Sequence, residues 1–482
     1  MKIIHISAEC YPIAKVGGLA DVVGSLPKYL NEEGERTEVI MPKYENNWVR
    51  DHEFKKVYSS SFNYWGEKTE FSVELLKDND FGFPIYMISI PGRFDRPGIY
   101  IDPWSSQPYW DEKERFVSFQ IATLEWLKER EEKPDIIHCH DHHTGLIPFM
   151  TSQCNRYREL SQVPTVITVH NAEYQGRFEK DSYKLLPAFS FDNVGLLEWN
   201  GSINSLATGL KTSWQITTVS KNYMEELKEE SNGLEALFKS EEAKSTGIIN
   251  GIDTEVWDPA QDKLLAHNFS FRNRKSGKVK NKEVLCKEFG INPELPTIAF
   301  IGRLVREKGA DLLPDLIAHF MEGEKEVNFV LLGTGDPQLH AIFDRMASDH
   351  VGFFDATLEY NEKLAHQIYA GSDFILMPSR VEPCGLNQMF AMRYGTIPIV
   401  RSTGGLKDSV KDISKKDGYG ICFDEFNLEN AEYAINRAID LFENQSLFNQ
   451  VRSKVMKLDF SWNRSAKEYI DVYTQLIEKV DG

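Results

Sequence analysis

A chain of 482 residues with 41% hydrophobic and 27% charged side chains has ordinary globular composition, and it is longer than one hydrophobic core usually serves, so two or three domains are expected. Its formal net charge of −18 argues against nucleic acid or an anionic membrane surface as partner; a neutral polymer is acceptable, and an anionic small ligand needs local positive charge. There is no run of about 18 apolar residues, no signal-peptide core after Met1 and no regular spacing among the six cysteines, so the chain is expected to be cytoplasmic with reduced thiols.

In chain order, "KIIHIS" opens as a buried strand. After the loop "AECYPIAKVGG", apolar residues at Leu19, Val22, Val23, Leu26 and Leu30 predict a helix that ends near Gly34 and bends at Pro27. "TEVIMP", "PIYMISI", "DIIHCH", "TVITVH" and "QITTVS" are further strands, each followed by a loop or a helical pattern. "GIINGIDTEVWDP" has the Asn-Gly, Gly and Pro content of a connection. Beyond it, "TIAFIGR", "NFVLLGTG", "DFILMPS" and "IPIVRS" are strands, with "GADLLPDLIAHF", "NEKLAHQIYAG" and "NQMFAMRYG" as helices between them. The expected fold class is therefore α/β, with two Rossmann-like doubly wound domains facing across a cleft and ligands beyond the carboxyl ends of the strands. The polar segment 270–283 is expected to be an exposed basic loop or helix start.

Chemistry concentrates in the loops after these strands. "KVGGLADV" places Lys15, Gly17 and Gly18 at a helix N-terminus, where free amides and the helix dipole attract an anion; the plainer reading is a tight loop with a solvated lysine. "GRLVREKG" follows a strand and carries Arg303 and Lys308, two cations of the kind a metal-free diphosphate leaving group requires, while Arg306 is taken as surface charge. In "SRVEPCGLNQ", Glu382 occupies a strand-to-helix loop where a carboxylate can accept from sugar hydroxyls, and Gly385, Leu386 and Asn387 offer backbone amides. Cys384 has no histidine partner linked to it by sequence, so it is not assigned as a nucleophile.

"HCHDHH" at 138–143 invites a metal reading, because histidine, cysteine and aspartate are the usual ligands. Strand alternation sends His138 and His140 to one face and Cys139 and Asp141 to the other, and only a turn after Asp141 brings His142 and His143 toward His140. No functional metal is expected there. "DND" at 78–80 resembles a metal-binding acidic triplet, but its place before "FGFP" is that of a hairpin turn, where Asp and Asn are favoured anyway.

The series "KVGGLADVVGSLP", "HDHHTG", "TVHN", "INGID", "GRLVREKG", "GTGDP", "PSRVEPCGL" and "YGTIPIVRSTGGLKDSV" resembles, in order and in spacing, the glycogen/starch synthase family of retaining glucosyltransferases, down to "DFSW" near 459. The resemblance implies the GT-B arrangement: an acceptor-side domain at 1–245, a nucleotide-sugar domain at 246–459, and a final helix at about 460–482 that rejoins the first domain. It also implies a nucleotide-glucose donor, ADP-glucose by similarity to bacterial and plastid members, an α-1,4-glucan acceptor, and no cofactor. By position, Lys15, Arg303 and Lys308 would hold the donor phosphates, with Gly17 and Gly18 close by. Asp141 and His170 would bind the transferred glucose, and Glu382 would hold it from the opposite side, beside Cys384 and the amides of Gly385 and Leu386. Tyr360 would stack on the nucleotide base. Three positions depart from the family pattern: Asn387 replaces a frequent threonine, His142 replaces a frequent tryptophan, and the segment after Lys228 is short. The eighth residue after Glu382 is Phe390 rather than glutamate, which separates the chain from the sucrose-synthase-like branch. The alternatives are a catalytically inactive glucan-binding or regulatory homologue and a GT-B enzyme with another acceptor. Against the first stands the presence of Lys15, Arg303, Lys308 and Glu382 together.

Overall fold

The computed structural model describes every residue except Trp65, Asp78, Glu324, Lys325 and Gly482, together with the side chain of Asp481. The chain divides into two units: Met1–Val219, Met224–Ile248 and the C-terminal helix from Trp462 form the first, and Ser220–Tyr223 with Ile249–Ser461 form the second.

Among its described residues, the first unit has a nine-stranded main sheet in the order 245–247, 215–218, 165–169, 136–140, 2–6, 36–42, 85–89, 67–76, 54–64. The strands from 245–247 to 85–89 run parallel, and the last two add an antiparallel edge. Lys2–Ile6, Ile136–His140 and Thr165–Val169 are buried at every position, as expected of central parallel strands covered by helices on both faces. The edge hairpin Phe54–Tyr64 and Glu67–Leu76 was not legible beforehand. Its first strand is largely exposed and the second only partly buried, and the run "SSS" blurs the alternation that would reveal the first. The connection that holds "DND" joins two antiparallel strands; Asp78 itself lies outside the described residues.

Helix Gly18–Glu32 buries the predicted stripe and retains Pro27 inside it. That stripe shares a core with Trp462, Tyr469, Tyr473 and Leu476 of the C-terminal helix. Full burial of each large apolar side chain contributes roughly 1.5–3 kcal/mol, enough to tie the chain's last helix to its first.

The second unit has a six-stranded, wholly parallel sheet among its described residues, in the order 354–357, 328–332, 297–301, 374–377, 397–401, 421–423. Its helices start where side-chain oxygens accept from the first turn: Asp336 from the Gln338 N–H, Asn361 from Leu364 and Asn427 from Asn430, each contributing about 1 kcal/mol.

The basic segment 270–283 is a largely exposed helix start, as expected, and enters helix Arg274–Glu288; four of its residues, Gly277, Lys278, Asn281 and Lys282, are buried instead. Lys278 is buried and donates from Nζ to the carbonyls of Tyr369 and Ser372 and to Thr396 Oγ1, at 3.0, 2.7 and 2.6 Å. Lys282 pairs with the buried Asp373 at 2.7 Å. Three acceptors converge on Lys278, which offsets the cost of burying an ammonium group. Among the described residues, no helix is long and apolar enough to cross a membrane.

Candidate active site

The strand ends of the first unit carry one group of residues. Asp141 follows strand Ile136–His140 with φ of 55°, and its N–H donates to the Thr168 carbonyl at 2.9 Å. Its Oδ1 accepts from the His170 N–H at 2.7 Å, joining the ends of two neighbouring parallel strands. Burial pushes the Asp141 carboxyl up to about 7, against the stabilising amides of His170 and Asn171. Burial also lowers the His170 imidazole to about 3, so it is neutral across the physiological range.

Behind His170 runs a chain of buried rings. His170 Nε2 is 3.0 Å from His140 Nδ1, and His140 Nε2 is 3.1 Å from His5 Nδ1. His138, from the same run, instead meets Tyr473 Oη at 2.7 Å and Thr168 Oγ1 at 2.6 Å.

Lys15 pairs with Asp21 at 2.7 Å and remains partly exposed. Gly17 has ordinary extended dihedrals, and a Cβ at Gly17 or Gly18 would meet nothing within 4 Å. Neither backbone strain nor packing inside the chain calls for glycine there. The amide of Gly17 is already engaged. It donates, with that of Val16, to Glu9 Oε2 at 3.1 and 2.6 Å, while Tyr100 Oη donates to Glu9 Oε1 at 2.7 Å. Glu9 and Tyr100 were missed by sequence reasoning, because a lone glutamate in "AECYP" carries no local signal. Burial raises the Glu9 carboxyl, against the hydrogen bonds it accepts from Tyr100, Val16 and Gly17.

In the second unit the structure joins two residues 74 positions apart. Lys308 Nζ donates to both oxygens of Glu382, at 2.6 and 2.7 Å, and Ser379 Oγ adds a bond to Oε2 at 2.9 Å. Glu382 is 5% exposed, whereas Lys308 is partly open. Backbone contacts set this pair. The Arg380 N–H donates to the Glu307 carbonyl at 2.8 Å, and Gly309, at φ of 71°, lies where a Cβ would be 2.2 Å from the Pro378 oxygen. On the other side the Gly405 N–H donates to the Glu382 carbonyl at 3.0 Å, and a Cβ on Gly404, at φ of 44°, would be 2.0 Å from that oxygen. "STGGLKD", uninformative by itself, therefore holds the backbone of Glu382. Gly404→Ala is expected to destabilise the protein by about 1–3 kcal/mol or more and to lower turnover, read from thermal unfolding and a steady-state assay.

The other predicted residues fall as follows. Arg303 is 60% exposed and only loosely bonded to Glu307, at 3.4 Å. Cys384 is buried and its thiol is pushed up to about 12 by burial, so it remains protonated. Gly385 has φ of 73°, and Leu386 caps helix Asn387–Arg393 without a side-chain bond. Asn387 Nδ2 donates to the Ile301 carbonyl at 2.7 Å, tying this helix start to the strand that leads to Arg303. Tyr360 is 75% exposed. Phe390 stacks on Trp257 at 3.8 Å, and both rings are half-buried.

This geometry puts charged and hydrogen-bonding groups beyond the carboxyl ends of parallel strands in each of two Rossmann-like units. Comparison with known proteins agrees. The family model "Starch synthase catalytic domain" matches residues 2–240, and "Glycosyl transferases group 1" matches residues 281–452. The chain is similar to a glycogen synthase of Flavobacterium johnsoniae, 48% identical over 99% of this chain and 100% of the relative. It is also similar to a glycogen synthase of Geobacillus stearothermophilus, 39% identical over 99% and 98%. Among solved structures, the catalytic domain of starch synthase IV from Arabidopsis thaliana, bound to ADP and acarbose, superposes with a TM-score of 0.85 at 32% identity over 99% of both chains. A sucrose-phosphate synthase from Thermosynechococcus elongatus, at 16% identity and TM-score 0.59, shares the fold. Fold and site thus define a glycosyltransferase. The chain belongs to the glycogen/starch synthase family.

Proposed function

We propose that the chain transfers glucose from ADP-glucose to the non-reducing end of an α-1,4-glucan with retention of configuration, the reaction of a glycogen/starch synthase. The observation that carries this reading is the Glu382 carboxylate, buried at a strand end and gripped by Lys308, with Arg303 on the adjoining loop. Similarity to glycogen synthases over nearly the whole chain, and to a starch synthase bound to ADP, supports the donor and the acceptor. The free thiols, five of the six buried, support a cytoplasmic setting.

As the bond from glucose C1 to the diphosphate breaks, positive charge grows on the sugar and negative charge on the phosphate. Lys308 spends two of its three N–H donors on Glu382 and keeps one for the phosphate; Arg303 supplies a second cation. The acceptor hydroxyl forms its bond to C1 on the face the diphosphate leaves, and its proton passes to the departing phosphate oxygen. Both buried carboxylates of the set are already engaged, Glu382 by Lys308 and Ser379, Asp141 by the His170 amide. A carboxylate held in this way is a poor nucleophile, which favours same-face attack over a covalent glycosyl-enzyme.

The histidine chain orients His170. Two proton arrangements satisfy both ring contacts. One leaves an N–H on His5 Nε2, a buried atom without a hydrogen-bond partner among the described residues; the other leaves a lone pair there. An orphaned buried N–H is the rarer case in folded proteins, so the protons point outward and His170 presents Nδ1–H to a sugar hydroxyl.

Labelled ADP-glucose with glycogen is expected to give α-linked incorporation, at a rate unchanged by excess EDTA because lysine and arginine supply the charge a divalent ion would bring. No transfer from ADP- or UDP-glucose by folded protein would overturn the reading; a strong preference for UDP-glucose would overturn its donor.

A further inference from the structure

Two clusters of metal-ligating atoms occur among the described residues, His5 with His138 and His140, and Glu112 with His142 and His143, each with its ligand atoms within 4.8 Å of one another. The first has little to give. Both nitrogens of His138 and of His140 are in hydrogen bonds, and only His5 Nε2 is left over.

The second differs. His142 hydrogen-bonds the Tyr174 backbone in a way that favours the protonated ring, so the ring donates to that carbonyl; its Nδ1 is buried with no partner, so Nε2 carries the proton and Nδ1 the lone pair. A histidine that binds a metal typically donates its other N–H to a backbone carbonyl in this manner. His143 is 6% exposed, stacked 4.7 Å from the Tyr100 ring and edge-on to Phe116 at 4.4 Å, and its Nδ1 is likewise buried and unpartnered. Glu112, in the first turn of helix Glu112–Glu129, supplies the oxygen.

We propose that Glu112, His142 and His143 form a site for a borderline divalent ion such as Zn²⁺, with two nitrogen ligands, one carboxylate and a water completing the shell. From sequence no functional metal is expected in this run, where His142 and His143 come into question only beside His140; Glu112, 30 positions before His142, gives no local signal. Arg115 acts electrostatically on both Glu112 and His143. Its charge opposes an ion held by charge alone, so the nitrogen donors select zinc, cobalt or nickel over Mg²⁺ and Ca²⁺, which prefer all-oxygen shells. The ion takes no part in glucosyl transfer. It clamps the two residues that follow Asp141.

Metal-free protein given Zn²⁺ and then desalted is expected to retain one zinc per chain by elemental analysis, and Co²⁺ is expected to show the visible absorption of a nitrogen-ligated, low-symmetry site. Glu112→Gln and His142→Trp should each weaken zinc binding roughly tenfold or more. Circular dichroism checks folding; should His142→Trp fail to fold, Glu112→Gln, a near-isosteric change on a half-buried residue, decides the matter. No retained zinc in the wild type, or zinc held equally by either folded variant, overturns the proposal, the latter by placing the ion elsewhere.

Discussion

Replacing Lys308 or Glu382 by alanine is expected to lower kcat by roughly 10²-fold or more, the usual loss when a preorganised electrostatic group is removed from a transition state. The two residues share two hydrogen bonds, at 2.6 and 2.7 Å, so their losses should not multiply. Without Lys308 the carboxylate is left buried and unpaired; without Glu382 the ammonium group is released to wander. The double variant should therefore be nearly as slow as the slower single variant. Turnover within a few-fold of wild type in either folded single variant would remove that residue from the chemistry, and losses that multiply would show that the pair does not act as a unit.

The second large effect concerns pH. In the proposed reaction the ionised Asp141 carboxylate is a stronger acceptor for glucose hydroxyls than the neutral acid, and burial places its carboxyl at about 7. The value of kcat/KM, which reports the free enzyme, should then fall as pH drops through about 7. Asp141→Asn should abolish that limb and cost roughly 10- to 100-fold, the worth of about 1.5–3 kcal/mol in a charged hydrogen bond. Stability moves the opposite way. The folded value is raised above that of the unfolded chain, so the native state binds more protons between about 4 and 7, and the Asp141 contribution to stability declines as pH rises across that window. A pH profile without an acid limb near 7, or one unchanged in Asp141→Asn, would contradict the assignment. His170, lowered to about 3, should contribute no limb in this range.

Much of the fold was legible because burial leaves a local trace. Central parallel strands are buried on both faces and so appear as continuous β-branched runs, and the helix after "KVGG" appears as a stripe at helical spacing. The edge strands Phe354–Thr357, Ile421–Phe423 and Ser245–Gly247 are too short for any period to show, and the largely exposed strand Phe54–Tyr64 alternates too weakly.

The sequence by itself determined which loops follow the strand ends, and so which of Lys15, Asp141, His170, Arg303, Lys308 and Glu382 are available to a ligand. It did not determine how they pair. That Glu382 grips Lys308, that Glu9 has taken the Gly17 amide, that His170 leans on His140 and His5, and that Lys278 is buried rather than solvated are matters of strand register and of where one loop's backbone passes another. Hydrophobic burial has a period along the chain because each residue sees the same face of the same sheet. A buried polar group instead seeks whichever partner the tertiary structure carries to within about 3 Å, and that partner's distance along the chain leaves no pattern to read.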